Sequence, residues 1–265
     1  MKNLIIRSIS GLVYATIFIS AILYSAESYT SLIAVFSAIC LWEFNKIIRF
    51  KNFIPFIILP LAIYYTKIIA SEKVILFLLL ITLICFFQLI YSLYQSKKSE
   101  YPNTFMDKLD LGIRYIILPF SFLALLPFIN NGYHPYVIIY IIVLIWTNDS
   151  FAFLVGKNFG KTKLFERISP KKTIEGFIGG LLFSLIIGFL IGYYSSILSI
   201  FNWIIIALIV SIAGTFGDLV ESMFKRKANV KDSGTIMPGH GGLLDRLDSL
   251  YFLAPFVYLY LHFLM

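Results

Sequence analysis

The sequence predicts an all-α polytopic membrane protein with about nine transmembrane helices, its N-terminus cytoplasmic and its C-terminus outside. Hydrophobic residues make up 59% of the chain and charged residues 14%, whereas soluble proteins average roughly 45–50% and 25%. The apolar residues fall into runs that approach the ~20 residues a spanning helix needs. Lys and Arg gather in alternate connections between those runs, so the formal charge of +8 reads as a topology signal and not as a surface for nucleic acid.

The first run, 4–25, follows Lys2 and Arg7 and resembles a signal peptide, but no small-x-small cleavage site follows it, so it is a retained span. The next three runs are 28–48, 53–70 and 74–94. Lys46, Arg49 and Lys51 lie on one side of them and Lys67 and Lys73 on the other. Lys97, Lys98 and Lys108 precede the fifth run, 111–129, and Arg114 lies at its start, while Lys157, Lys161, Lys163, Arg167, Lys171 and Lys172 follow the sixth, 136–155. The seventh and eighth runs, 174–194 and 200–221, lead to Lys225, Arg226, Lys227, Lys231 and Arg246, and the ninth run is 248–265. With nine spans and a cytoplasmic N-terminus, every basic residue except Lys67 and Lys73 lies inside. A miscounted span would reverse each later loop and scatter that asymmetry. No connection is long enough for a soluble domain, so residues 1–265 form one domain in the cell membrane with its large polar loops cytoplasmic.

Cys40 and Cys85 both lie in apolar runs and read as small buried hydrophobes, which leaves no disulfide framework and no zinc site. Gly176, Gly180, Ser184, Gly188 and Gly192 recur every four residues and predict close helix packing, within the subunit or across a homodimer. Tyr193, Tyr194 and Trp203 read as an interfacial aromatic belt.

Chemistry concentrates in one polar island, Ser222 to Asp248, reading SMFKRKANVKDSGTIMPGHGGLLDRLD. Acids inside apolar spans are expensive and point to function. Asp218, Glu221, Ser222 and Lys225 share a helix face at i, i+3, i+4 and i+7, and Asp245 and Asp248 share another at the start of span nine. If spans eight and nine are antiparallel neighbours, Asp218, Asp245 and Asp248 converge. Carboxylates clustered where an anionic substrate binds need a hard cation among them, and magnesium suits oxygen ligands with bridging phosphates. The competing structural reading is an Asp–Lys or Asp–Arg pair that only fixes helix packing.

The second polar loop, Gly156 to Glu175, fails as a P-loop, because its first glycine is one residue too close and no strand precedes it. Ser169-Pro170 predicts the start of the seventh helix, where free amides with Lys171 and Lys172 can bind an anion. Asp149, beside Asn148 and Ser150 late in span six, is a second-rank candidate for the same cavity. Glu43, near the end of span two, is weaker, because an interfacial acid costs little. His134 and His262 carry no role. His240, in a glycine-rich basic setting, suits a phosphate hydrogen bond better than general-base work.

At these residues the chain resembles the phosphatidate cytidylyltransferases, or CDP-diacylglycerol synthases. Their signature is matched by Ser222, Lys225-Arg226, Lys231-Asp232, the Pro238-Gly239-His240-Gly241-Gly242 turn and Asp245-Arg246-x-Asp248, without departure. Gly217-Asp218, Asn148-Asp149-Ser150 and the Ser169 to Gly176 segment also look like family blocks, so the specific likeness covers the C-terminal half, centred on 217–248. The resemblance implies transfer of CMP from CTP to phosphatidic acid, giving CDP-diacylglycerol and pyrophosphate for phospholipid synthesis. It implies magnesium on Asp218 and Asp245, with potassium a candidate second cation. Lys225, Arg246, His240 and Asp248 would be catalytic. Ser222, Arg226, Lys231, Gly241, Gly242, Ser169, Lys171, Lys172 and Asp149 would bind substrate. The competing functions are a CTP-dependent lipid or polyprenol kinase and, in a different class, an anion transporter, for which no paired inverted repeat is found.

Overall fold

The computed structural model describes residues 2–95, 102–129 and 132–265, with side chains from Ile6 onward. Lys97, Lys98 and the Lys2 side chain therefore lie outside the described residues. Seven helices are long and apolar enough to cross a membrane. They are α1 (Lys2–Tyr24), α2 (Ala26–Ile47), α4 (Glu72–Tyr94), α7 (Pro135–Phe159), α8 (Ile174–Tyr194), α9 (Ile200–Lys227) and α10 (Leu244–Leu259), the last extended by a π-helical turn to Leu264. Two further rods occupy the third and fifth expected runs. Helix α3 (Ile54–Tyr64) continues as a π-helical turn to Ile69, and α5 (Phe105–Gly112) joins α6 (Leu118–Leu125) through another at Ile113–Ile117. The first is short, and the second carries Asp107, Lys108, Asp110 and Arg114 in its first half.

Polar side chains move several boundaries away from the apolar runs. Thr104 and Asp107 form a reciprocal capping box, each side chain accepting the other's backbone N–H, so the fifth rod begins at Phe105 and not at 111. It ends at Leu125, after which β1 (Phe128–Ile129) pairs antiparallel with β2 (Gly132–Tyr133). Helix α9 runs past the apolar limit to Lys227, and α10 starts four residues early, because the charged side chains there bond to one another.

The expected helix start at Ser169-Pro170 is corrected. Ser169–Thr173 is strand β4, paired antiparallel with β3 (Lys163–Phe165), and the helix begins at Ile174 with Thr173 as its cap. Thr173 Oγ1 accepts the Gly176 N–H at 3.1 Å, while the hairpin holds the preceding residues extended.

The glycine stripe of α8 is used inside the subunit. A Cβ at Gly176 would meet the Ala152 carbonyl of α7 at 2.6 Å, one at Gly180 the Asn148 carbonyl at 2.6 Å, and one at Gly188 the Trp203 carbonyl of α9 at 2.9 Å. In lipid, packing of this kind replaces the hydrophobic effect as the force between helices. The expected aromatic belt is corrected in one member. Tyr193 and Tyr194 are exposed, but Trp203 is fully buried beside Gly188, edge-on to Tyr140. Both cysteines are buried and free.

Helix α10 is the axis of the molecule, with 72% of its spanning window buried against 11% for α1. Phe252 stacks on Phe86 of α4 at 3.9 Å, and Tyr251 packs on Tyr115 and Phe120. The basic connections meet at one end of the bundle. Arg167 donates to the Leu93 and Gln95 carbonyls, Lys108 to the Arg49 carbonyl, and Arg7 to the Gly239 carbonyl. Lys67 bonds to Thr30 in a different setting, beside Phe128 and the β1–β2 hairpin.

Candidate active site

The last two turns of α9 bring out the face expected from the sequence. Ser222 Oγ donates to Asp218 Oδ1 at 3.1 Å, and Lys225 Nζ lies 2.5 Å from Glu221 Oε2. Asn229, in a left-handed conformation (φ 57°), then turns the chain away, and the Val230 N–H returns to the Lys225 carbonyl. Further on, Met237 and Gly241 bridge to close a tight turn. Gly239 (φ 76°) and Gly241 (φ 91°) hold backbone angles that side chains disfavour. Gly241 also lies close against Asp245, leaving no room for a Cβ.

Asp245, in the first turn of α10, gathers this loop. Its Oδ2 accepts from the Gly242 N–H at 2.8 Å and from the Ser233 N–H and Oγ at 2.9 Å each, and its Oδ1 lies 2.5 Å from Lys225 Nζ. Lys225, only 8% exposed, is therefore clamped between two carboxylates from different helices. A buried ammonium is tolerated on those terms.

A second pair forms beside it. Lys172 Nζ, on strand β4, lies 2.6 Å from Asp218 Oδ2. Burial disfavours the Lys172 ammonium, but Asp218, with help from Asp149 and Asp248, more than offsets this, and its pKa sits above the ordinary lysine value. Asp248 is buried, and its Oδ1 accepts the Ser249 N–H at 2.7 Å. Asp149 Oδ1 accepts a long hydrogen bond from Asn148. Asp149, Asp245, Arg246, Asp248 and His240 line a cavity of about 280 Å³ between α1, α7 and α10.

Asp245 Oδ2 already faces three donors and Oδ1 accepts Lys225, so an ion at Asp245 would have to share Oδ1 with that ammonium. Asp218 interacts electrostatically with Asp248 and with Asp149, and all three with Lys172. Asp248 Oδ2 and Asp149 Oδ2 have no hydrogen bond among the described residues. Among those residues, no three Asp, Glu, His or Cys side chains already form a metal cage. The open carboxylate oxygens of Asp248 and Asp149 are hard donors of the kind magnesium takes one or two of, completing its shell with water and substrate phosphate.

The remaining candidates are arranged around this centre. Arg246 donates to the His240 carbonyl at 2.6 Å, and His240 Nδ1 pairs with Ser10 Oγ of α1 at 2.8 Å. Burial, then Arg246 and Arg7, hold the His240 pKa below the usual histidine value. Arg226 reaches the Ile168 and Val230 carbonyls and ties the β3–β4 turn to α9. Lys171 and Lys231 are exposed, and their side chains form no hydrogen bond among the described residues. Ser169 pairs in the hairpin opposite Phe165, so it caps no helix.

Sequence reasoning missed two contributions. Ser10 also donates to the Pro238 carbonyl and Arg7 to that of Gly239, which ties α1 to the loop, while Gly11, Tyr14 and Phe18 of α1 form one wall of the cavity. The signal available was Arg7 and Ser10 three residues apart on one helix. Glu43, judged an inexpensive interfacial acid, is instead fully buried against the loop; its flanking Trp42 and Phe44 marked it as sitting inside an apolar run.

The chain matches the sequence profile described as the Cytidylyltransferase family over residues 5–264. It is similar to a protein of Bacillus subtilis (strain 168) named phosphatidate cytidylyltransferase, 48% identical over 122 residues, which is 46% of this chain and 45% of the relative. A protein of the same name from Staphylococcus aureus (strain COL) is 50% identical over 131 residues, 48% of each chain. Another from Staphylococcus saprophyticus is 40% identical over 153 residues, 57% of this chain and 58% of the relative. The matched stretches thus span about half the length of these curated relatives.

Proposed function

The chain belongs to the cytidylyltransferase family, and from that premise we propose that it transfers CMP from CTP to phosphatidic acid, giving CDP-diacylglycerol and pyrophosphate. The observation that carries the reading is the double ion pair, Lys172–Asp218 and Lys225–Asp245, beside a cavity that opens among membrane-spanning helices. The reaction joins a lipid anion to a nucleotide polyanion, so it needs charge control at a membrane surface more than an activated nucleophile.

A phosphate oxygen of phosphatidic acid attacks the α-phosphorus of CTP, the bond to the bridging α–β oxygen breaks, and pyrophosphate leaves with that electron pair. The lipid phosphate is already a nucleophile, so no Ser, Cys or His has to be deprotonated. Lys172 and Arg246 supply positive charge beside the cavity, while Lys171, Lys231 and Arg226 at the loop surface draw the anionic substrates in. Lys225 is held in place by Glu221 and Asp245. His240, neutral near pH 7, offers its ring to a phosphate from the α1 wall. Asp218 and Asp248 would hold magnesium, with Asp149 beside them, and the ion when bound would neutralise phosphate charge and polarise the α-phosphoryl group. Asp245 serves Lys225 and the loop.

Nine spans with a cytoplasmic N-terminus suit this site, since the basic connections then face the compartment that holds CTP. Phosphatidic acid enters from the bilayer. The α8 stripe is occupied within the subunit, so a homodimer would use another face.

The test is an assay of detergent-purified protein with radiolabelled CTP, phosphatidic acid and magnesium. Label in a CDP-lipid with pyrophosphate released supports the transferase. Release of CDP with no labelled lipid points to the kinase, and flux across sealed vesicles without either product points to the transporter.

A further inference from the structure

Helix α2 carries a carboxylate at Glu43 that is 0% exposed. Its Oε2 accepts the Leu244 N–H at 2.8 Å and the Ser233 hydroxyl at 3.2 Å, and its Oε1 has no hydrogen-bond partner among the described residues. Two glycines of the loop close over it. A Cβ at Gly234 would collide first with Glu43, to which its three nearest atoms all belong, and a Cβ at Gly242 would strike Ser233 Oγ and then Glu43 Oε2 at 2.6 Å. A buried acid with an unsatisfied oxygen is costly. Its two hydrogen bonds link the start of the loop, at Ser233, to the first residue of α10, at Leu244. The one Ser233 hydroxyl proton lies between Glu43 Oε2 and Asp245 Oδ2, and the Ser233 N–H donates to Asp245, which holds Lys225.

We propose that Glu43 is a positioning residue for the CMP transfer described above, on which this inference rests. It touches no reacting atom; through Ser233 and the first amide of α10 it sets the direction in which Asp245 and Arg246 project. The glycine at 234 is then required by Glu43, whose carboxylate a methyl there would push away, and the glycine at 242 by Ser233 first and Glu43 next.

The experiment measures turnover, KM for CTP and thermal unfolding of the detergent-purified full chain as wild type, Glu43→Gln, Glu43→Ala, Gly234→Ala and the Glu43→Ala/Gly234→Ala double variant. Turnover of Glu43→Ala per folded molecule should fall about 10- to 100-fold, the scale of a misaligned site. Glu43→Gln, which keeps an acceptor of the same shape, should recover most of it. Gly234→Ala should lose activity alone but add nothing in the Glu43→Ala background, because the group it strikes is gone. Losses that multiply in the double variant, or a Glu43→Ala loss that only tracks the folded fraction, overturn the proposal. Should Glu43→Ala not fold, Gln must retain more turnover than Asp, whose carboxylate falls one methylene short of Leu244; the reverse order overturns it. A wild-type protein that makes no CDP-lipid overturns the parent activity and this role with it, whereas an active wild type with indifferent variants overturns this role alone.

Discussion

Lys225 and Asp245, twenty positions apart on consecutive helices, meet at 2.5 Å, and the same ammonium is 2.5 Å from Glu221 one turn back on its own helix. That contact closes the polar loop onto α9 and fixes how α9 and α10 face each other. It answers to the packing pair considered from the sequence, and it stands at the edge of the cavity where the chemistry is proposed.

Removing this cation should therefore cost both fold and function. Lys225→Met leaves Glu221 and Asp245 buried without their partner, a loss on the order of 3–5 kcal/mol for a broken buried pair. Thermal unfolding in detergent should show a marked drop for Lys225→Met and a smaller one when Glu221→Gln is added, since fewer charges are then stranded. Equal stability of wild type and Lys225→Met would contradict the clamp.

The ligand set for magnesium can be separated from the carboxylate that holds Lys225. Asp218→Asn and Asp248→Asn should raise the magnesium concentration needed for half-maximal turnover, about tenfold or more. Asp245→Asn should lower turnover with little change in that requirement, because both its oxygens already serve the protein. A magnesium titration of the three variants decides it, and a shift confined to Asp245→Asn would return the metal to that residue.

Much of this site was legible because charge inside apolar sequence is rare. Asp218, Glu221, Ser222 and Lys225 announce a single helical face by spacing alone, and the structure pairs them within that face. Less legible was which acid serves which cation. Asp218 takes Lys172 from a hairpin the sequence read as a helix start, since Pro170 suits the first turn of a helix and also an extended strand. Glu43 was undervalued because its burial comes from a loop that folds back 190 residues later, and spacing carries no trace of that. Trp203 misled for a similar reason. An aromatic residue near a span end suits an interface, yet Gly188 on the neighbouring helix opens a site that buries it.

Histidine 240 should give the folded protein an acid limb. Unfolded histidine titrates near ~6.5, and in the fold burial, Arg246 and Arg7 lower that value. Between the folded and unfolded values the unfolded chain binds more proton, so stability is fully present above about 6.5 and falls as pH drops through the folded pKa. His240→Gln should flatten the thermal-stability profile below pH ~6.5 relative to wild type. Parallel profiles for the two proteins would mean that other groups set the acid limb.

Lys172 behaves in the opposite sense. Its pKa is raised, the carboxylate of Asp218 outweighing the effect of burial. Its contribution is therefore complete below the ordinary lysine value of ~10.4 and is lost only as pH rises through the still higher folded value. Turnover should then show no alkaline loss traceable to Lys172 below pH ~10, and Lys172→Arg should keep more activity than Lys172→Ala. Lys163, exposed on the adjoining strand β3, shares the basic neighbourhood but has no salt bridge among the described residues. Lys163→Ala should leave turnover within about twofold, as surface changes usually do. If Lys163→Ala and Lys172→Ala lose activity equally, the loop acts as bulk positive charge, and the specific Lys172–Asp218 pair has no part in catalysis.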